Sequence, residues 1–136
     1  MSKEESPLVG DEQPGPARRA ILVVEDEALV RMLVVQTLEE AGYDVHEAAE
    51  ARAAMTVLQS DGVIDLMVTD LGLPGVNGKQ LAEQARGHKP ELKILFMTGY
   101  ADSTLVDGAL PAGIDLITKP FDLDDLAAKA GALLAL

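Results

Sequence analysis

Four short apolar runs in this chain each lead into a residue able to do chemistry. Ile21-Leu22-Val23-Val24 runs into Glu25 and Asp26, and Leu66-Met67-Val68-Thr69 into Asp70. Ile94-Leu95-Phe96-Met97 runs into Thr98, and Ile114-Asp115-Leu116-Ile117-Thr118 into Lys119. Runs of this length read as buried strands. Side chains at the carboxyl ends of parallel strands converge on one crevice. The set would then gather three carboxylates, a hydroxyl and an ammonium. Like charges held that close repel and raise each other's pKa unless a cation offsets them. Packing has no use for such a cluster, whereas a divalent metal and an anionic ligand do. Asp70 becomes the candidate nucleophile, a carboxylate able to accept a phosphoryl group as an acyl phosphate. Glu25, Asp26 and Asp70 are hard oxygen ligands suited to Mg²⁺. Lys119 would bring compact positive charge to the phosphoryl oxygens, and Thr98 a hydroxyl donor.

Holding these residues together takes alternating strands and helices. Residues 20–24 read as the first strand. Leu29, Met32, Leu33, Gln36, Thr37 and Glu40 carry helical spacing that stops at Gly42. A second strand is expected over 43–48. A helix follows over 49–60, with Ala53, Ala54, Val57 and Leu58 on its apolar side. Strand three is read over 65–69, a helix over 78–87 and strand four over 93–98. A weak, mobile helix is expected over 102–110, because Gly108 and the stretch Pro111 to Gly113 interrupt it. A short strand over 114–117 and a helix from Asp122 complete the pattern. Near-continuous apolar strands separated by helices indicate a parallel sheet covered on both faces. The expected fold is α/β, a flavodoxin-like (βα)5 three-layer sandwich with sheet order 2-1-3-4-5. Residues 1–19, rich in Pro, Gly and charge, read as a flexible tail before one domain over 20–136.

Composition narrows the partners. With 23 acidic against 11 basic residues the formal charge is −12, and no basic stripe offers the counterion release that nucleic-acid binding needs. Cysteine is absent, which excludes disulfides and thiolate metal sites. No run of about 18 apolar residues suggests a membrane span, and the expected location is the cytoplasm. Aromatics are only 3% of the chain, so Leu, Val, Ile, Ala and Met must build the core. His46 and His88 have no partner at metal-binding spacing and read as structural or solvated residues.

The motifs VVEDE, TDLGLPGVNG, FMTG and TKPF, in this order and spacing, resemble the receiver domain of two-component response regulators. The resemblance implies a protein that takes phosphate onto Asp70 from a phosphohistidine on a histidine kinase or histidine phosphotransfer protein. It implies Mg²⁺ or Mn²⁺ with Asp26, Asp70 and the backbone carbonyl of Gly72 as direct ligands, and Glu25 acting largely through water. It also implies a cis peptide at Lys119-Pro120 that aims the lysine into the site, and a monomer or weak dimer. Such a protein signals, and catalyses only its own phosphorylation and dephosphorylation. The chain stops at Leu136 soon after the last helix, so no output domain is expected, and the chain reads either as a stand-alone regulator acting through protein contacts or as a receiver cut from a hybrid histidine kinase.

Two departures matter. Leu116 stands where most receivers carry an aromatic switch residue, so aromatic rotation there cannot be the signal. Phe96-Met97-Thr98-Gly99-Tyr100 resembles instead the Phe-Ala-Thr-Gly-Tyr receivers, sometimes called FAT GUY receivers, with Met97 in place of their Ala. Thr98, Gly99 and Tyr100 are then the expected switch. An alternative reading is a small aspartate-nucleophile phosphatase of the haloacid dehalogenase kind. That chemistry wants a second Asp two residues past the nucleophile, where this chain has Gly72. A flavodoxin-like mononucleotide binder would need a phosphate-cradling loop where this chain places Glu25-Asp26-Glu27.

Overall fold

The computed structural model describes residues 18–60, 62–99 and 110–136. Residues 1–17 of the expected tail, Tyr100, and positions 102–109 of the expected weak helix lie outside the described residues.

Five strands form one parallel sheet: β1 (Ala20–Val24), β2 (Asp44–Ala48), β3 (Leu66–Asp70), β4 (Lys93–Thr98) and β5 (Ile114–Thr118). Their spatial order is β2-β1-β3-β4-β5, the 2-1-3-4-5 arrangement expected from the sequence. Registers such as Val24↔Thr69 and Asp70↔Met97 bring the carboxyl ends of the three central strands level with one another. The helices are α1 (Ala28–Glu40), α2 (Ala51–Gln59), α3 (Gly78–His88) and α4 (Leu123–Leu134).

Strand residues alternate between two cores because successive side chains leave a strand on opposite faces. Leu22, Val24, Met67, Ile94 and Phe96 pack with Ala54 and Leu58 of α2 and Leu81 and Ala85 of α3. Ile21, Val23, Leu66, Val68, Leu95 and Met97 pack with Val34, Val35 and Leu38 of α1 and Leu126 and Ala130 of α4. Each fully buried Leu or Ile stabilises the fold by about 1.5–3 kcal/mol relative to an exposed one. Three layers result, and the rigid central strands hold the site.

Element boundaries depart from the sequence reading by one or two residues. Strand three runs through Asp70 rather than stopping at Thr69, and Asp65 lies ahead of it, where its carboxylate accepts the Ala20 N–H at 2.8 Å. Tyr43 precedes β2, and α2 starts at Ala51. The spacing leaves the orientation of α1 open. Leu29, Met32 and Leu33, read as part of its helical stripe, are 65%, 46% and 39% exposed, and the helix instead buries Val34, Val35 and Leu38. Apolar residues wrap most of this helix, so spacing alone cannot choose the inward stripe. Arg31 also pins the rotation: its guanidinium donates to the Glu25 carbonyl at 2.8 Å and to Glu47 at 2.9 Å. The helix ends where expected. Gly42 takes φ +100°, its N–H donates to the Glu39 carbonyl, and the Tyr43 N–H donates to that of Leu38. That pair of bonds satisfies the last carbonyls of the helix.

Candidate functional site

Glu25 follows β1 directly and is fully buried. Both of its carboxylate oxygens are engaged: Oε2 accepts the Glu27 N–H at 3.0 Å, and Oε1 lies 3.0 Å from Lys119 Nζ. Burial raises the Glu25 pKa, and the Glu27 N–H and Lys119 only partly oppose that effect. Asp26 is exposed at the mouth of the crevice. Asp70 ends β3 and is 7% exposed; its Oδ1 accepts the Gly72 N–H at 3.1 Å and its Oδ2 lies 3.0 Å from Lys119 Nζ. One oxygen from each of Glu25, Asp26 and Asp70 can be chosen so that all three lie within 4.8 Å of one another.

Lys119 reaches the crevice from just past β5. Its N–H donates to the Thr98 carbonyl at 2.7 Å, and the Lys119-Pro120 peptide is cis. Burial alone would lower the ammonium's pKa, but hydrogen bonds to Glu25 and Asp70, and their charges, outweigh it and raise the value. The ammonium offsets one of three carboxylate charges. A divalent cation would offset the rest, and a donor set made only of oxygens fits Mg²⁺.

The structure therefore brings Glu25, Asp26, Asp70 and Lys119 together. Gly72 meets Asp70 through its N–H, and no second Asp stands at that position. Thr98 is fully buried at the end of β4, but its hydroxyl donates to the adjacent Gly99 carbonyl at 2.9 Å rather than to a carboxylate. Gly99 lies beside it, half-buried. Leu116 is half-buried within β5.

Two residues that serve the site escaped the sequence reading. Arg31 ties the Glu25 backbone to Glu47; a lone cation soon after an acidic pair was the available signal. Gly78 opens α3 directly against the Asp70 backbone. Beside the crevice, Val30, Leu33, Phe121 and Leu123 line an open apolar groove that reaches Lys119.

Comparison with known proteins decides the family. Residues 21–131 match the response regulator receiver domain. This chain belongs to that family. The receiver is 37% identical over 109 residues to the response regulator receiver protein CpdR of Brucella abortus, covering 79% of this chain and 90% of CpdR. It is 36% identical over 117 residues to the sensor kinase CckA of Brucella abortus, covering 84% of this chain but only 12% of the kinase. Among solved structures, the receiver domain of a hybrid histidine kinase CckA superposes with a TM-score of 0.72 at 31% identity, covering 85% of this chain and 98% of that one. Receiver domains are the phospho-accepting modules of two-component signalling. Among the described residues, no helix of this receiver is long and apolar enough to cross a membrane.

Proposed function

We propose that this receiver accepts a phosphoryl group on Asp70 from a phosphohistidine of a histidine kinase or histidine phosphotransfer protein in the cytoplasm. Mg²⁺ or Mn²⁺ would be held by Asp26, Asp70 and the Gly72 carbonyl. The observation that carries the reading is the pairing of a three-carboxylate cluster with one ammonium at the carboxyl ends of β1, β3 and β5.

In the transfer, an Asp70 oxygen attacks phosphorus, the phosphorus–nitrogen bond breaks, and an acyl phosphate forms while the imidazole leaves. A bound divalent cation supplies charge neutralisation on the phosphoryl oxygens. Positioning and electrostatics carry most of such a reaction. The Gly72 N–H and Lys119 orient the Asp70 carboxylate, and Lys119 stays cationic to meet the added negative charge. Glu25, with both oxygens already engaged, is suited to act on the metal through water rather than as a direct ligand. Thr98 would turn its hydroxyl from Gly99 toward the phosphoryl group, passing the signal to Gly99 and Tyr100.

The exposed Leu29, Met32 and Leu33 stand on the same helix as the apolar groove, and the groove shares Lys119 with the site. That continuity favours the phosphodonor protein as what covers this face. Mass spectrometry after incubation with Mg²⁺ and a small acyl phosphate tests the acceptor. One added phosphoryl on the wild-type protein is expected, and none on Asp70→Asn.

A further inference from the structure

Gly78 is the first residue of α3 and is buried. A Cβ built on it would overlap the Asp70 carbonyl oxygen and lie 2.8 Å from Leu71 Cα. Both neighbours are backbone, which cannot swing aside as a flexible side chain would. The Gly78 N–H donates to the Leu71 carbonyl at 2.9 Å. The positive-φ glycines of the described residues are Gly42, Gly75 and Gly113. What requires glycine at position 78 is therefore close approach rather than a left-handed backbone.

The same helix end is pinned from outside. Asn77 Oδ1 accepts the Gln80 N–H at 2.9 Å, and Gln80 Oε1 accepts the Asn77 N–H at 3.2 Å. This reciprocal cap fixes the first turn. The loop 72–77 is thus tied at both ends, by the Gly72 N–H on Asp70 Oδ1 and by the Gly78 N–H on the Leu71 carbonyl.

We infer that Gly78 is a positioning residue for the acceptor: its missing side chain lets α3 seat on the Asp70–Leu71 peptide and so sets where the Asp70 carboxylate and the Gly72 carbonyl stand. The inference rests on the reading of Asp70 as acceptor and of the Gly72 carbonyl as a metal ligand. A methyl group at position 78 would push the end of β3 and the start of α3 apart, and both metal-facing groups would move with them.

Gly87 provides the control, because it lies in the same helix and a Cβ there meets nothing within 4 Å. Mg²⁺ alone is titrated into the full chain, following the amide NMR shifts of Asp70 and Gly72, with circular dichroism to establish that each variant is folded. Gly87→Ala should keep wild-type affinity. Gly78→Ala should bind Mg²⁺ measurably more weakly and accept phosphoryl from a small acyl phosphate more slowly by about tenfold to a hundredfold, since a misplacement near 1 Å can cost about a hundredfold in rate. A purely structural role would lower the melting temperature of Gly78→Ala but leave the Mg²⁺ affinity of the folded protein unchanged, and that result overturns the inference. Should Gly78→Ala not fold in buffer, the same titration in a stabilising osmolyte such as trimethylamine oxide decides, since the excluded osmolyte favours the folded state without adding an atom near Asp70. Weakened Mg²⁺ binding by the folded variant supports the inference, and wild-type binding overturns it. A wild-type protein that shows no Mg²⁺ response contradicts the acceptor reading itself, and the inference falls with it.

Discussion

Lys119 Nζ stands 3.0 Å from the Asp70 carboxylate, joining two residues 49 positions apart in the chain. The same ammonium lies 3.0 Å from Glu25, so one cation serves two carboxylates in a largely buried crevice. Removing one partner of a buried pair leaves uncompensated charge, and the partial exposure of Lys119 reduces that cost. Lys119→Ala should lose about 1–3 kcal/mol of stability in chelator. It should still bind Mg²⁺, and should gain more from Mg²⁺ than the wild-type protein does. Thermal melts with and without Mg²⁺ check this, and equal melting of the two proteins in chelator would count against the pairing.

Asp26 is the exposed member of the cluster, so its removal disturbs packing little while taking away a carboxylate. Millimolar Mg²⁺ should raise the melting temperature of the wild-type protein by mass action on the folded state. Asp26→Ala should lose most of that rise, and should melt no lower than wild type without metal because a repulsion has been relieved. A full Mg²⁺-dependent rise in the variant would move the metal elsewhere.

The orientation of α1 can be read from two truncations. Leu38→Ala empties a fully buried position and should cost about 2–5 kcal/mol. Leu29→Ala, at a position 65% exposed, should change stability by no more than about 0.5 kcal/mol. Urea unfolding measures both, and comparable losses would mean that the outward stripe is buried after all.

The apolar face beside Lys119 separates protein donors from small ones. Leu33→Glu should slow transfer from a phosphohistidine protein by about tenfold, the effect of losing roughly 1.4 kcal/mol at a contact. Labelling by a small acyl phosphate should stay within about twofold of wild type, because Leu33 does not touch Asp70 chemistry. An equal slowing with both donors would place the defect in the site rather than at the docking face.

The sheet was legible because parallel strands buried on both faces appear as uninterrupted apolar runs, and β1 and β4 match the expected ranges residue for residue. Glu25, Asp26, Asp70 and Lys119 could be grouped for the same reason: each sits at or just past a strand end, and the topology converges those ends. The inward face of α1 could not be read, because apolar residues surround the helix and only packing and the Arg31 bonds select its rotation. Gly78 was equally hidden. Asn77-Gly78 looks like any loop-to-helix junction until the distance to the Asp70 backbone is known. The position of Thr98 at the end of β4 was legible for the same reason as the sheet, whereas the direction of its hydroxyl, here toward the Gly99 carbonyl, is a rotamer that spacing along a strand does not specify.

In the proposed function Asp70 alone takes the phosphoryl group, in a Mg²⁺-dependent reaction. Intact-protein mass spectrometry after incubation with a small acyl phosphate, with Mg²⁺ or with chelator, tests it most directly. The wild-type protein should gain one phosphoryl with Mg²⁺ and none with chelator, and Asp70→Asn should gain none in either case. Undiminished labelling of Asp70→Asn would place the phosphoryl group on another residue and overturn the assignment.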